Sequence, residues 1–189
     1  CFRALLLLSG CSDRFKGFQN PQKWDADSCI PFNKLAKEEL FRELDKDYIS
    51  GLTLTGGDPL FESNLDGVLD LVTEVNERYN TPQDTNEIRL SKPKKSIWLY
   101  TGYEVVSVDR EYKRIIFDRG SEDIVEQFSF KSAINHNKRT DIASMYDVIV
   151  DGRYIDSKRD VTYPFACSRN QRVIDVLKSI ENEEVVLYK

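Results

Sequence analysis

The stretch GLTLTGGDP, residues 51–59, decides the fold predicted for this chain. Leu52 and Leu54 alternate with threonines, and β-branched threonine favours a β-strand. The strand pattern ends abruptly at Gly56-Gly57, where two glycines permit positive φ angles and a close approach of the backbone to a ligand. The stretch therefore predicts a strand followed directly by a tight turn.

Asp58 and Pro59 follow the two glycines and leave two interpretations of the turn. In the first, the Asp58 carboxylate lies at the end of the strand, Pro59 fixes the exit of the chain, and the turn is a pocket for a polar ligand with an amino group. In the second, the turn is an ordinary strand-to-helix connection in which Asp58 caps the next helix. From the residues alone the second is favoured, because Gly-Gly turns are common.

Strand and helix patterns alternate on both sides of this stretch. Asn33 is a candidate N-cap for a helix that runs to about Lys46, and Ser63 or Asn64 is one for a helix with apolar residues at helical spacing between 65 and 75. Apolar runs typical of strands lie at 4–9, 96–103, 146–154 and 184–189.

Strands that alternate with helices predict βαβ units and a mostly parallel sheet. Three of the predicted strands end in a glycine turn, at Gly10, Gly56-Gly57 and Gly152. Ligands in such folds bind at the carboxyl ends of the strands. Because 189 residues are fewer than an eight-fold barrel usually has, we expect one α/β domain over residues 1–189 that forms an open, partial (β/α) barrel.

Two regions interrupt this alternation. Residues 80–95 are polar and contain two prolines, which predicts a loop. Residues 104–118 alternate enough to predict a β-hairpin, whereas the pattern of residues 122–141 does not decide between helix and strand.

Composition excludes several classes of protein. Hydrophobic residues make up 40% of the chain and charged residues 31%, which is typical of a soluble globular protein. The net charge of −5 argues against a general nucleic-acid binder, and no apolar run approaches the roughly 20 residues of a membrane span. The single histidine, His136, leaves little for Ser-His-Asp chemistry or a multi-histidine metal site.

The cysteines are few and far apart. Cys1, Cys11, Cys29 and Cys167 form no CxxC motif, which indicates a reduced, cytoplasmic compartment, and the ordinary interpretation of each is a small buried hydrophobic residue. Because the sequence opens at Cys1 without an initiator methionine, we expect that part of the natural N-terminus precedes it.

Five segments occur in the order known from one family: LSGC…GFQNPQKWD, GLTLTGGDPLF, IWLYTGY, DVIVDGRYI…KRD and SRNQRVIDV. On these segments the chain resembles the anaerobic ribonucleoside-triphosphate reductase activating proteins, which are radical S-adenosylmethionine (SAM) enzymes. The resemblance runs from about residue 3 to 189, and residues 80–95 and about 104–140 look like insertions.

The resemblance implies a [4Fe-4S] cluster held by three cysteines in a C-x3-C-x2-C loop, with a fourth iron open to SAM. It implies that reductive cleavage of SAM produces a glycyl radical on the large subunit of an anaerobic ribonucleotide reductase, with a flavodoxin-type electron donor. By resemblance, Gly56, Gly57, Asp58 and Pro59 form the turn that meets the methionyl group of SAM. Thr101, Gly102 and Tyr103 are expected to line the same face.

The cluster loop departs from the family pattern. Cys11 stands at the first ligand position, but Phe15 and Phe18 stand at the second and third, and a benzyl group has no lone pair for iron. Two hypotheses follow. The chain is an activating enzyme by descent with an altered loop, or it is a catalytically degenerate relative that acts as a binding module without a cluster.

Overall fold

Four strands lie side by side in the order in which they occur in the chain. The structure, a computed structural model, describes residues 2–10, 25, 30–81, 94–109, 111–118 and 130–189. The main sheet has the order β1-β2-β3-β6-β7. Its strands are β1 (Phe2–Leu8), β2 (Ile49–Gly56), β3 (Ser96–Tyr100), β6 (Val148–Asp151) and β7 (Arg172–Asp175). The first four are parallel and β7 is antiparallel to β6, so the prediction of a mostly parallel α/β sheet is confirmed.

Three of the four described helices lie on the connections between neighbouring parallel strands, and the fourth follows β7. They are α1 (Lys34–Leu44), α2 (Leu65–Val75), α3 (Phe130–Ser144) and α4 (Val176–Asn182), and a π-helical turn, Asn76–Asn80, extends α2. The Asn33 side chain accepts a hydrogen bond from the Ala36 backbone N–H at 3.0 Å, as the sequence predicts for the cap of α1. None of the described helices is long and apolar enough to cross a membrane.

The predicted hairpin is confirmed as a separate two-stranded sheet. Strands β4 (Glu104–Asp109) and β5 (Arg114–Asp118) pair in antiparallel fashion. Ile115 and Phe117 of β5 are buried in the main core together with Ile142 and Ala143 of α3. The hairpin and α3 therefore cover the same side of the main sheet as the other helices.

Alternating residues of the strands pack on opposite faces of the sheet. Ile97 and Leu99 of β3 point into the large core that α1, α2 and α3 cover. Trp98 of the same strand points to the other face, where it packs with Val150 and Ala166. Because the helices all cover one face and the strand order is sequential, the sheet is wound in one direction only.

The structure differs from the sequence-based expectations in four places. Helix α3 begins within the stretch whose pattern does not decide between helix and strand, and the short antiparallel strand β7 is not predicted by the sequence pattern. The predicted strand at 184–189 makes only an isolated bridge, Leu187 with Ile174, although Asp175 N–H still bonds Val186 O at 2.9 Å. Asn64 stands at the N-cap position of α2, but its side chain makes no cap bond there.

Lys95 is a buried cation at the start of β3, just 1% exposed. Its Nζ donates to the backbone carbonyls of Lys46, just after α1, and of Ile49, the first residue of β2. The Asn80 side chain brackets the Lys95 backbone with two hydrogen bonds of 3.0 Å. The residue therefore joins the end of α1, the end of α2 and the start of β3.

Lys95→Met is expected to lower the free energy of unfolding by about 1–3 kcal/mol, because two buried carbonyls lose their donor. Its neighbour is a matched control: Lys94 Nζ bonds Asp147 Oδ1 at 2.7 Å but its side chain is 64% exposed. Lys94→Met should cost less than about 1 kcal/mol. Urea unfolding of the two variants checks the prediction, and equal losses would contradict it.

Candidate functional site

The carboxyl ends of the parallel strands meet at one edge of the sheet. The residues that follow β1, β2, β3 and β6 there include Gly10, Gly56–Asp58, Thr101–Tyr103 and Gly152. In parallel α/β sheets this edge is where ligands bind. The structure therefore places the predicted turns of the sequence at the edge expected for a site.

The turn after β2 packs backbone to backbone on the turn after β1. Gly57 N–H donates to Leu8 O at 2.7 Å, and Asp58 N–H donates to Gly10 O at 2.8 Å. A Cβ atom on Gly57 would lie 2.5 Å from Gly10 O, and Gly56 has a φ of +103° that side chains rarely adopt. Glycine is therefore required at 56 and 57 for the contact between the two turns, independently of any ligand.

The Asp58 carboxylate joins the turn after β2 to the turn after β3. It is 3% exposed and accepts hydrogen bonds from Leu60 N–H at 2.8 Å, from Thr101 Oγ1 at 2.9 and 3.0 Å, and from Gly102 N–H at 2.9 Å. An ionised carboxylate can accept about four such bonds. The side chain thus stabilises the edge from inside the protein, and ligand contact by this residue stays a prediction.

The turn after β3 is in turn bonded to β6. Thr101 N–H donates to Val150 O at 3.0 Å, and Gly152 N–H donates to Tyr103 O at 3.0 Å. Tyr103 N–H donates to Thr101 Oγ1 at 3.2 Å. The predicted residues Asp58, Thr101 and Gly102 therefore lie in direct contact, whereas the Tyr103 ring is buried beneath them against Phe117.

An ion pair that the sequence analysis missed holds the hairpin at the same edge. Asp151, at the end of β6, is fully buried and accepts from Val105 N–H at 2.8 Å. Arg172 donates to both Asp151 oxygens, one bond being 3.0 Å, and also to Val105 O at 2.8 Å. The hydrogen bond with Asp151 raises the pKa of Arg172. Both residues lie in the segments quoted above, DGRY and NQRV, but nothing in the sequence pairs them.

The Tyr146 hydroxyl is a buried polar group without a hydrogen-bond partner among the described residues. Burial, and then the charge of Asp58, raise the pKa of Tyr146 well above its ordinary value. An unsatisfied buried hydroxyl costs about 1–3 kcal/mol. We therefore expect the folded protein to be less stable with tyrosine at position 146 than with phenylalanine.

Tyr146→Phe should raise the free energy of unfolding by about 1 kcal/mol, which corresponds to a rise in Tm of about 2–4 °C for a chain of this size. Tyr79→Phe is the matched control, because the Tyr79 hydroxyl donates to Asp45 Oδ1 at 2.9 Å and its loss should lower the Tm.

Above about pH 10 the unfolded tyrosine ionises while folded Tyr146 stays neutral, so stability falls with pH. That fall should be smaller in Tyr146→Phe, and an unchanged pH profile would contradict the assignment.

A separate open groove of about 470 Å³ lies between α1 and α2. It contains none of the predicted site residues. Its charged side chains largely neutralise one another, since Glu74 pairs with both Lys37 and Arg78. The groove therefore does not replace the strand edge as the candidate site.

The cluster that the resemblance implies is tested by the chemistry of its donors. Cys11, Phe15 and Phe18 lie outside the described residues, as do Cys1 and Cys29, while Cys167 is exposed and has a free thiol. Within the described part of the chain no three His, Cys, Asp or Glu side chains come together to hold a metal. One thiolate and two benzyl groups do not fit a loop that must bind three irons.

The known proteins to which this chain is similar carry the same name. A family model described as "4Fe-4S single cluster domain" matches residues 1–174. The anaerobic ribonucleoside-triphosphate reductase-activating protein of Enterobacteria phage T4 is 32% identical over 152 residues, 80% of this chain and 70% of that protein. The activating protein of Haemophilus influenzae is 25% identical over 171 residues, which cover 89% of this chain and 84% of the relative.

The Escherichia coli K12 protein of the same name is 25% identical over 173 residues, 90% of this chain and 86% of its own. No solved structure gives a significant match. Since the family match spans most of the chain, the protein belongs to the 4Fe-4S single cluster domain family and is a relative of the anaerobic ribonucleoside-triphosphate reductase-activating proteins.

Proposed function

We propose that this chain is an activating protein of an anaerobic (class III) ribonucleotide reductase. Its reaction is the generation of a glycyl radical on the large reductase subunit, with SAM as the cosubstrate. The observation that carries the proposal is the similarity to activating proteins over most of the chain, extending to 32% identity with the phage T4 relative. The flavodoxin-type electron donor and the cytoplasmic location belong to the same proposal.

The architecture supports an open, partial (β/α) barrel of the radical SAM type. Four parallel strands in sequential order, with the helices on one face, are the arrangement from which such a barrel is built. We assign residues 1–189 to a single domain, with residues 80–95 and about 104–140 as insertions. The second of these proposed insertions includes the hairpin β4–β5 and most of helix α3.

The SAM site of the proposal is the edge formed by Gly56, Gly57, Asp58, Pro59 and Thr101–Tyr103. The Asp58 carboxylate already accepts hydrogen bonds from Leu60, Thr101 and Gly102. Backbone groups of the glycine turn are therefore the better candidates for contact with the amino group of SAM, and Asp58 acts by fixing the turn. In this proposal the glycine turn contacts the ligand, and Asp58 holds the turn in place.

The metal site of the proposal is the loop that contains Cys11. Cys11 is the one sulfur ligand that the family loop retains, and Phe15 and Phe18 supply no donor. We therefore expect the unaltered chain to bind fewer than the about four irons of a complete cluster. The second candidate function, which these missing donors raise, is a binding module that docks on the reductase without chemistry.

Anaerobic mixing of the chain with its cognate reductase, SAM and a chemical reductant tests the proposal. Size-exclusion chromatography reports the complex, and electron paramagnetic resonance reports the glycyl radical on the reductase. An activating protein should give a complex and a radical yield proportional to its iron content. A complex without radical in every iron-loaded sample indicates the binding module, and no complex overturns both functions.

A further inference from the structure

We propose that Arg139 is a positioning residue for the SAM site, holding the turns after β2 and β3 in register with each other. The inference rests on the function proposed above and assigns a role to a residue that lies outside the family segments. Arg139 belongs to α3, in the region that looks like an insertion.

Arg139 contacts both turns with one side chain. Its Nε donates to Leu60 O at 2.9 Å, just beyond Asp58 and Pro59. Its guanidinium carbon lies 4.6 Å from the centre of the Tyr103 ring, within the range of a cation–π contact. The side chain thus spans the same two segments that the Asp58 carboxylate joins.

Asp58 and Arg139 together fix the backbone near Leu60 and Tyr103. Leu60 N–H donates to Asp58 Oδ1 while Leu60 O accepts from Arg139, so both backbone groups of this buried residue are fixed. Tyr103 follows Gly102, whose N–H donates to Asp58 Oδ2. Loss of Arg139 should therefore loosen Leu60 and Gly102 together, and with them the glycine turn.

The guanidinium group is required for both contacts at once. Arginine can donate from Nε in its plane while its flat face covers an aromatic ring, whereas a lysine ammonium is a point charge that cannot do both. Arg139→Lys is therefore expected to retain the charge but to lose one contact. This makes it a sharper variant than Arg139→Met, which removes both contacts and the charge.

The neighbouring residue supplies a matched control. Lys138, on the same helix, pairs with Asp66 in the first turn of α2 and contacts neither strand-end turn through this pair. Lys138→Met removes a cation from the same helix together with its ion pair to α2. It should leave the two turns unchanged.

The first measurement is amide hydrogen exchange in the full chain, which needs no ligand. In Arg139→Met the Leu60 and Gly102 amides should exchange about tenfold faster, because the loss of one hydrogen bond lowers the free energy of local opening. The exchange of the α1 amides should stay unchanged, because only a global loss of stability would make those amides exchange faster. Exchange at Leu60 and Gly102 no faster than in Lys138→Met would overturn the inference.

The second measurement is the dissociation constant for SAM by anaerobic equilibrium dialysis. Arg139→Lys and Arg139→Met should raise it on the order of tenfold, as loss of an outer supporting contact does, while Lys138→Met leaves it unchanged. SAM bound equally by all variants would overturn the role of Arg139. If the unaltered chain binds no SAM, the proposed function fails, whereas the exchange result still decides whether Arg139 positions the turns.

Discussion

Asp151→Ala is expected to lower the free energy of unfolding by about 3 kcal/mol, the lower end of the range for breaking a buried ion pair. The substitution leaves Arg172 without its partner and Val105 N–H without its acceptor. The Arg172 side chain is 37% exposed, so water compensates part of the loss. Chemical denaturation at neutral pH measures the change.

The matched control lies in the loop that precedes Arg172. Asp160 also bonds an arginine, Arg169 at 2.7 Å, but that arginine side chain is 75% exposed. Hydrogen bonds from Thr162, and then from Arg169, lower the pKa of Asp160 to about 2. Asp160→Ala should cost much less stability than Asp151→Ala, and equal losses would show that the hairpin does not depend on the buried pair.

The double variant Phe15→Cys/Phe18→Cys is expected to raise the iron content to about four per chain after anaerobic reconstitution. The substitutions restore the three thiolates of the family loop beside Cys11. The unaltered chain should bind clearly less iron under the same conditions. Iron and sulfide analysis, together with the absorbance of the cluster, measures the difference.

Phe15→Ser/Phe18→Ser is the control for the double variant, because it removes the same aromatic surface without adding sulfur. It should not gain iron, and Cys11→Ser in the double-cysteine background should lose it. A complete cluster in the unaltered chain would show that distant thiols replace the missing ligands. Failure of the double-cysteine variant to bind iron would show that the loop cannot form the site.

The sequence predicts those strands and turns that depend on neighbouring residues alone. The alternation of Leu52 and Leu54 and the glycines after them specified a strand and a turn, and the structure has both. The sequence of α3, FKSAINHNKRTDIAS, has few apolar residues and no clear period, so its pattern does not decide between helix and strand. Strand β7 was missed because it has only four residues and pairs in antiparallel fashion with β6.

The candidate site was predicted only in part for a similar reason. Since Asp58 follows one predicted parallel strand and Thr101 lies near the carboxyl end of the next, their meeting at one edge follows from the fold. Arg139 and Leu60 are 79 positions apart, and the arginine lies on the helix that the pattern did not resolve. Asp151 and Arg172 are joined across an antiparallel pair that was not predicted. Contacts of this kind depend on tertiary packing rather than on any local motif.

The most direct test of the account is the glycyl-radical signal of the cognate reductase after incubation with the Phe15→Cys/Phe18→Cys variant, SAM and a reductant under anaerobic conditions. We expect a radical signal on the reductase that exceeds the one produced by the unaltered chain and scales with bound iron. A variant that holds about four irons and binds SAM, but leaves the reductase without a radical, would contradict the assignment of this fold to reductase activation.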